Sequence, residues 1–432
     1  MKDLSQFKIE ILQPISKTFC AAKWLMSDFY LHTGSTSSCH LPTPDKINFD
    51  QVKINIDKFN NTDEKIYQRE LMLAGEQPSK CSNCWYIENS HNDAISERVI
   101  HSNHLFETYN DSFSNLEITP KPREITVAFD TLCNFVCSYC DGSQSSSWAS
   151  DLKTNGLFKD ILGDPKNTYY RLGSKELVDN YNEVFDKFCE YVITCTDRVK
   201  KITCLGGEPL MSPNFWKFIE FVSTNNIGNN LEKFTIVTNL SNEKLLNKYI
   251  SFGNRLPISC AISIENVGKK SEFVRKGLNW ETFENNLRIW LQYYPDDVTL
   301  LGTVSGVVLY GIIEYLDWVQ SLNEEFNNRI KVKFFKVRHP NFQAIQVLPS
   351  SLKTKYKEDI KFWLSKNKVD EVLEQQLKST IFLLDENCKE FEGSQVSLLQ
   401  DTAKNFYRQF ANRHNLSIND TFSSDLANWL SS

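Results

Sequence analysis

Three cysteines lie close together in the segment FDTLCNFVCSYC, which spans residues 129–140. They are Cys133, Cys137 and Cys140, and three and then two residues separate them. The preceding run EITVAF, residues 124–129, is typical of a β-strand, so we expect the cysteines on the loop that leaves this strand. Thiolates gathered on one loop suit iron–sulfur or zinc chemistry. Three ligands from one loop leave a fourth metal position open, as a catalytic site requires.

This spacing resembles the signature of the radical S-adenosylmethionine (SAM) enzymes. The resemblance implies that the three cysteines hold a 4Fe–4S cluster and that SAM chelates its open iron. It also implies that an electron from the cluster splits SAM into a 5′-deoxyadenosyl radical, which abstracts a hydrogen atom from the substrate. The aromatic Tyr139, directly before the last cysteine, fits the pattern and is counted with the cofactor-binding residues. A zinc knuckle is the alternative, although structural zinc usually takes two well-separated cysteine pairs.

Length and composition restrict the class of protein. A chain of 432 residues suits two or three domains, and its net charge of −6 is mildly acidic. No long basic run is present, so no nucleic-acid partner is expected. The amino-terminal residues lack the apolar core of a signal peptide, and no stretch is apolar enough to cross a membrane. We therefore expect a cytoplasmic protein with no membrane partner, in which twelve cysteines indicate metal ligation rather than disulfides.

Four further cysteines lie in the amino-terminal part of the chain, and the last two form a C-x-x-C pair. They are Cys20, Cys39, Cys81 and Cys84. Four thiolates are enough to close a metal site completely, and they suit a 4Fe–4S cluster and a zinc site equally well. The residues alone therefore leave both metals open.

The pattern around these cysteines resembles the SPASM/twitch type of auxiliary-cluster domain. It consists of Phe-Cys-x-x-x-Trp at residues 19–24, a glycine-containing turn before Cys39, Arg69 in a predicted helix, and Gly-x-x-Pro-x-x-Cys-x-x-Cys at residues 75–84. Such domains usually follow the radical SAM core. One that precedes the core resembles a group of twitch-domain radical SAM proteins often carried by bacterial viruses. The resemblance implies a second 4Fe–4S cluster, with zinc as the alternative; His40 departs from the pattern, because many relatives have a second adjacent cysteine there.

The segment Gly206-Gly207-Glu208-Pro209 directly follows the predicted strand 201–205. Glycines after a strand allow the backbone to approach a ligand closely, and a glutamate can accept hydrogen bonds from an ammonium group. The segment resembles the GGEP segment of the radical SAM family, which holds the amino group of SAM. The resemblance assigns Glu208 a catalytic role in addition to cofactor binding.

Five more residues resemble positions that hold SAM in this family. They are Asn239, Ser263, Glu265, Arg275 and Val304. Asn239 follows a predicted strand, and Ser263 and Glu265 stand where the family commonly has Ser-x-Asp. Arg275 resembles an arginine that pairs with the carboxylate of SAM, and it is assigned a catalytic role for this reason. Relatives place the strand end at Val304 near the adenine.

Six predicted strands alternate with amphipathic helices. They are residues 124–129, 201–205, 234–238, 258–265, 298–305 and 330–337. This alternation is typical of a parallel βα array, which places its chemistry at the carboxyl ends of its strands. We therefore predict an α/β protein with a partial (β/α)6 radical SAM barrel, a small amino-terminal cysteine-rich auxiliary domain and a helical carboxyl-terminal extension.

The predicted domains follow from these patterns. Residues 1–102 form the cysteine-rich auxiliary iron–sulfur (SPASM/twitch-like) domain, 103–122 a linker, 123–340 the radical SAM core barrel and 341–432 the helical extension. Prolines and polar residues in the linker break regular structure. Cys388 stands alone in the extension and is expected to be structural.

The resemblance implies a radical SAM enzyme that receives electrons from a donor such as flavodoxin or ferredoxin. Relatives with SPASM or twitch domains often modify peptides or proteins, so a peptide is the expected substrate. The alternative is a small-molecule substrate, such as a nucleoside or sugar intermediate. A third hypothesis is a non-catalytic iron–sulfur or zinc protein that binds a partner. The intact third cysteine and the GGEP segment argue against it, because a scaffold does not need an open iron.

Overall fold

The computed structural model describes residues 4–89, 94–113, 115–161, 178–385 and 394–432. Cys388 lies outside these residues. The chain divides into two compact units. The first unit comprises the described residues within Met1–Asp130, Lys175–Ile236 and Phe252–Ile258. The second unit comprises the described residues within Thr131–Ser174, Val237–Ser251 and Ser259–Ser432.

The strands of the described residues are named in chain order. They are β1 (Met26–Tyr30), β2 (Ser35–Ser37), β3 (Asp45–Lys46), β4 (Glu124–Ala128), β5 (Val136–Cys137), β6 (Lys201–Leu205), β7 (Lys233–Thr238), β8 (Ile258–Ser263), β9 (Arg275–Lys276), β10 (Val298–Val304) and β11 (Ile330–Lys336).

The α-helices are named in the same way. They are α1 (Leu4–Phe7), α2 (Gln13–Ile15), α3 (Ala22–Leu25), α4 (Phe49–Ile54), α5 (Asp63–Leu73), α6 (Ser82–Glu88), α7 (Glu97–Thr108), α8 (Ser146–Asn155), α9 (Tyr181–Thr194), α10 (Pro213–Thr224), α11 (Glu243–Ile250), α12 (Gly268–Val274), α13 (Trp280–Tyr293), α14 (Ile312–Glu325), α15 (Ser350–Lys366), α16 (Glu371–Leu383), α17 (Ser394–Arg413), α18 (Ile418–Thr421) and α19 (Ser424–Ser431). Among the described residues, no helix combines the length and apolar character needed to cross a membrane.

Helix α9 shows how the sequence determines a helix of the first unit. Its buried residues Val184, Phe188 and Val192 recur at every fourth position and form one apolar face. The Asn180 side chain caps the helix by accepting a hydrogen bond from the Glu183 backbone N–H. Asn182, Asp186 and Glu190 are exposed, so the helix has one buried side.

The first unit contains the strand order β3-β2-β1-β4-β6-β7. The pairs β1–β4, β4–β6 and β6–β7 are parallel, whereas the pairs β1–β2 and β2–β3 are antiparallel. In the β1–β4 pair, Met26 lies opposite Glu124 and Tyr30 lies opposite Ala128. The cysteine-rich amino-terminal segment therefore adds a hairpin directly to the first core strand.

The second unit contains the strand order β8-β10-β11, and both pairs are parallel. Strand β10 alternates between buried and half-buried residues, as expected of a strand with two different faces. A separate two-stranded antiparallel sheet pairs β5 with β9. Aromatic side chains of the carboxyl-terminal helices pack in this unit, where Phe273 of α12 contacts Phe410 and Phe422.

The α/β class predicted from the sequence is confirmed. All six predicted core strands are present, as β4, β6, β7, β8, β10 and β11, and at least one helix follows each of them. This alternation is compatible with a partial (β/α)6 barrel. The predicted linker 103–122 begins inside α7, because the buried Leu105 continues the apolar face of that helix. The domain boundaries at 102, 122 and 340 stay a prediction.

Candidate active site

The predicted cluster loop, residues 131–145, lies in the second unit. Its central part forms β5, which pairs antiparallel with β9 so that Cys137 lies opposite Arg275. The Ser138 N–H continues the pairing by donating to the Val274 carbonyl oxygen at 2.8 Å. Cys137 is buried, and Cys133 and Cys140 are half-buried. The three cysteines thus lie on one anchored loop.

Serines at the start of α8 bind the first cysteine of the cluster loop. The Ser146 hydroxyl accepts from the Cys133 N–H at 3.1 Å, and the Ser147 hydroxyl donates to the Cys133 carbonyl oxygen at 2.6 Å. Ser145 caps the helix and donates to the Phe135 carbonyl oxygen at 2.8 Å. The polar sequence after the cysteines therefore has a structural role, because its hydroxyl groups satisfy the backbone of the loop.

The carbonyl groups of the next turn are held by buried side chains. The indole Nε1 of Trp148 donates to the Cys137 carbonyl oxygen at 2.8 Å, and the Gln343 amide donates to the Ser138 carbonyl oxygen at 2.7 Å. The Cys140 N–H also donates to the Cys137 carbonyl oxygen, at 2.9 Å. No local sequence signal pointed to Trp148 or Gln343, because neither belongs to a recognisable motif.

Burial raises the pKa of two of the cluster-loop thiols, those of Cys137 and Cys140. The pKa of Cys137 rises to about 12, and that of Cys140 also rises. Across the ranges that the structure describes, no three His, Cys, Asp or Glu side chains are arranged as a metal-holding group. The soft thiol donors nevertheless fit an iron–sulfur cluster, since a bound metal deprotonates a coordinating thiol outright.

Glu265, Arg275 and Tyr139 form a buried polar cluster in the second unit. The Arg275 Nε donates to both Glu265 carboxylate oxygens at 3.0 Å, and Nη2 donates to Oε2 at 2.6 Å. The Tyr139 hydroxyl donates to Glu265 Oε1 at 3.0 Å, and the guanidinium lies 5.7 Å from the Tyr139 ring centroid. The carboxylate therefore receives four hydrogen bonds from two side chains.

The electrostatics of this cluster favour the ion pair. Burial opposes the charge on Arg275, but Glu265, Tyr139 and Cys137 together outweigh it and raise the pKa of the guanidinium. Burial raises the pKa of the Cys137 thiol, and the positive charge of Arg275 opposes that rise. The predicted contact of Arg275 with the carboxylate of SAM stays a prediction, and in the structure its guanidinium is engaged by Glu265.

The other predicted SAM contacts of the second unit occupy strand ends. The Asn239 side chain donates to Asn134 Oδ1 of the cluster loop at 3.0 Å and accepts from the Ser241 N–H at 3.1 Å. Ser263 is half-buried at the end of β8, and Val304 is buried at the end of β10. The structure therefore brings Asn239 to the cluster loop and places Ser263 and Val304 on neighbouring strands.

The GGEP segment lies in the first unit, directly after β6. Gly206 has a φ of +140°, and a Cβ there would stand 2.7 Å from the Asp130 carbonyl oxygen. The Gly207 N–H donates to the same oxygen at 3.2 Å. Only glycine fits position 206, since a side chain would meet a backbone atom. Glu208 is buried and accepts from the Leu210 N–H at 3.2 Å, and the buried Pro209 begins a short 3-10 turn.

A pocket in the first unit is lined by all four amino-terminal cysteines. Cys20, Cys39, Cys81 and Cys84 share it with Lys23, Arg98 and His101. Burial raises the pKa of Cys20 to about 11 and that of Cys39 to about 12. The pattern read from the sequence thus corresponds to one place in the structure. The His40 ring lies 5.9 Å from that of His101, between centroids.

Two buried arginines support the amino-terminal segment. Arg98 binds both carboxylate oxygens of Glu88, at 2.8 and 2.6 Å, and its guanidinium lies 5.3 Å from the Trp85 ring centroid. Arg69 donates to the Lys23 carbonyl oxygen at 2.8 Å and to Asn61 Oδ1 at 2.9 Å. These bonds hold segments that are distant in sequence around the cysteine pocket.

The model of the Radical SAM superfamily matches residues 129–314. A search of curated proteins found no match. One similar solved structure is described as native anSMEcpe with bound AdoMet. It has 16% identity and a TM-score of 0.35, with 60% of this chain and 63% of that chain covered.

Two further structures are of Streptococcus suis SuiB. One is bound to S-adenosylmethionine, with 12% identity, a TM-score of 0.37 and 71% and 66% of the two chains covered. The other is bound to the precursor peptide SuiA, with 12% identity, a TM-score of 0.37 and 76% and 66% covered. The chain spans under two thirds of the length of each of these solved chains. Similarity at this level carries no conclusion about activity or substrate.

Proposed function

We propose that this chain, which is an enzyme of the radical SAM superfamily through its residues 129–314, uses SAM to modify a peptide or protein substrate. The observation that carries the proposal is the anchored loop of Cys133, Cys137 and Cys140, which lies inside the matched residues. The family implies a 4Fe–4S cluster and SAM. When bound, they supply reductive cleavage of SAM and a radical that removes hydrogen from the substrate.

The proposed role of the cluster loop is to hold the cluster and to leave one iron for SAM. Three thiolates are one ligand fewer than a closed four-cysteine site needs. The hydrogen bonds from Trp148 and Gln343 hold the loop backbone, and the positive charge of Arg275 opposes the rise in the pKa of Cys137 that burial causes. Donors near a ligating sulfur stabilise its negative charge. These hydrogen bonds therefore support the backbone of the proposed cluster site.

The proposed SAM contacts divide by the chemistry of the ligand. Glu208 would accept from the ammonium group, and Gly206 and Gly207 would let the backbone approach it closely. Asn239 and Ser263 supply neutral polar groups that suit a ribose or carboxylate, and Val304 supplies an apolar contact for the adenine. A contact between Arg275 and the SAM carboxylate would compete with Glu265, which already engages the guanidinium. We therefore propose that Arg275 mainly supports the cluster loop and that contact with SAM is its secondary role.

The amino-terminal pocket is proposed to hold a second 4Fe–4S cluster, with zinc as the alternative. Its four cysteines line one space together with the basic side chains Lys23 and Arg98. Burial raises the pKa of Cys20, and the positive charges of Arg98 and Lys23 oppose that rise. An electron donor such as flavodoxin or ferredoxin and a cytoplasmic location belong to the same proposal.

The test is the iron, sulfide and zinc content of anaerobically reconstituted protein, followed by reductant-driven release of 5′-deoxyadenosine from SAM. Cys137→Ala should lose the core cluster and all release. Cys260→Ala, which changes a buried cysteine of β8 in the same unit, is the matched control and should retain both. Release at the wild-type rate from Cys137→Ala would refute the assignment of the site.

The substrate is tested separately. A short peptide encoded beside the gene should increase 5′-deoxyadenosine release above the substrate-free rate and change its own mass. Stimulation by a nucleoside or sugar intermediate, with no effect of the peptide, would favour the small-molecule alternative.

A further inference from the structure

A hydrogen-bonded chain of buried side chains joins the carboxyl-terminal helices to the cluster loop. Gln343 lies in the 3-10 turn Asn341–Gln343, between β11 and α15, and Tyr407 lies on α17. The Tyr407 hydroxyl donates to Gln343 Oε1 at 3.0 Å, and Gln343 Nε2 donates to the Ser138 carbonyl oxygen at 2.7 Å. Ser138 stands between two of the three cluster-loop cysteines. This series of hydrogen bonds thus ends at the backbone of the cluster loop.

All three residues of this hydrogen-bonded series are buried. The exposed fractions are 1% for Gln343, 2% for Tyr407 and 0% for Ser138. The Gln343 carbonyl oxygen accepts from the Gly306 N–H at 2.8 Å, which fixes the backbone of the glutamine. A buried amide with both ends satisfied has one orientation, so it defines the position of the carbonyl that it binds.

We propose that Gln343 and Tyr407 are positioning residues for the catalytic cluster, and that the carboxyl-terminal extension is in this way part of the active-site scaffold. Gln343 holds the Ser138 carbonyl, and Tyr407 holds Gln343. The proposal rests on the proposed function, because it takes Cys137 and Cys140 as cluster ligands. It goes beyond that function by giving a task to helices outside the matched residues 129–314.

The consequence expected from chemistry is a change at the cluster. Residues that orient metal ligands from outside the coordination shell typically change metal affinity by about 10- to 100-fold when replaced. Tyr407→Phe removes one oxygen atom and leaves the acceptor of Gln343 without its donor. Gln343→Met keeps the size of the side chain and removes both hydrogen bonds. If the two residues act as one unit, the double variant should resemble Gln343→Met.

The experiment uses the full chain, reconstituted anaerobically with iron and sulfide. Two quantities are measured: the rate at which a ferrous chelator removes iron, and the part of the reduced-cluster EPR signal that changes when SAM is added. Tyr407→Phe and Gln343→Met should each lose core-cluster iron about 10-fold faster than the wild type, and their SAM-responsive signals should change. Tyr356→Phe is the matched control, since its buried hydroxyl has no hydrogen-bond partner in the described residues, and it should match the wild type.

Several outcomes overturn the proposal. A wild-type rate of iron removal and a wild-type EPR signal in both variants would overturn it. An equal change in Tyr356→Phe would also overturn it. A lower thermal stability with an unaltered cluster would show a merely structural role. If Gln343→Met fails to fold, Tyr407→Phe alone decides. A wild-type protein without any SAM-responsive signal refutes the proposed function and this inference together, whereas normal wild-type loading with indifferent variants refutes the inference alone.

Discussion

The Arg275 guanidinium engages both carboxylate oxygens of Glu265, through three hydrogen bonds of 2.6 to 3.0 Å. The pair is buried, with exposed fractions of 5% and 0%. Two charges removed from water cost several kcal/mol each, and close hydrogen bonds must offset that cost. Each of the two charges is therefore tolerated in the interior only while its partner is present.

Removal of one partner should cost more than removal of both. Arg275→Met leaves the Glu265 charge buried and should lower the free energy of unfolding by about 3–5 kcal/mol. The double variant Arg275→Met with Glu265→Leu should recover part of that loss, because no unpaired charge remains. Urea denaturation of the metal-free proteins measures both values. A double variant that is less stable than the single one would contradict the argument.

The free energy of unfolding should depend on pH through Asp28 of β1. Burial raises the pKa of this carboxyl from 3.8 to about 6. Between these values the native protein holds a proton that the unfolded chain has released, so stability falls as the pH rises through this window. The full effect is about 3 kcal/mol.

Asp28→Asn should remove this fall in the free energy of unfolding with rising pH. Urea denaturation at several pH values between about 4 and 7 measures the free energy of unfolding across this window. Asp63→Asn is the control in the same unit, because hydrogen bonds from Gln51 and Lys58 lower the pKa of that exposed carboxyl. A fall that persists in Asp28→Asn would show that another group titrates.

The amino-terminal pocket should account for one of two metal sites. Replacing Cys81 and Cys84 with alanine should lower the iron content by about one cluster and leave the core loop loaded. Cys189→Ala, a buried cysteine of α9, should leave the iron content unchanged. Unchanged iron with a loss of zinc would identify the pocket as a zinc site.

A side chain at Gly206 should disrupt the GGEP segment beyond the effect of its backbone angle. Gly206→Ala combines a positive φ with a contact of 2.7 Å to the Asp130 carbonyl oxygen. Gly75→Ala has a φ of +79° and meets no atom within 4 Å, so it is the matched control. The control should cost about 1–2 kcal/mol from the angle alone, and Gly206→Ala should cost more and should weaken SAM binding. Equal losses of stability would show that the contact relaxes.

The strands were predictable because their signals are local. Alternating or continuous apolar residues predict six core strands, and β4, β6, β7, β8, β10 and β11 form at those places. The same holds for Gly206, where the need for glycine follows from a strand end and a close approach. Local patterns fix elements because backbone period and side-chain burial act over a few residues.

Pairings between side chains of different structural elements could not be predicted from such local patterns. Arg275 was predicted as a SAM contact, and the pattern contained no sign that Glu265 would bind it. Gln343 and Tyr407 are far along the chain from Ser138, and neither has a motif. Such contacts depend on the tertiary arrangement of the second unit, which no single segment encodes.

The parallel pairing of β1 with β4 has a consequence for synthesis on the ribosome. Tyr30 emerges roughly a hundred residues before its neighbour Ala128, and the hairpin partner β2 follows almost at once. The nascent amino-terminal segment can form its local hairpin early, but one edge of β1 stays open until the first core strand leaves the exit tunnel. Long-range parallel pairing is slow, and exposed strand edges promote aggregation. Translation speed between these two strands therefore governs how long that edge is unprotected.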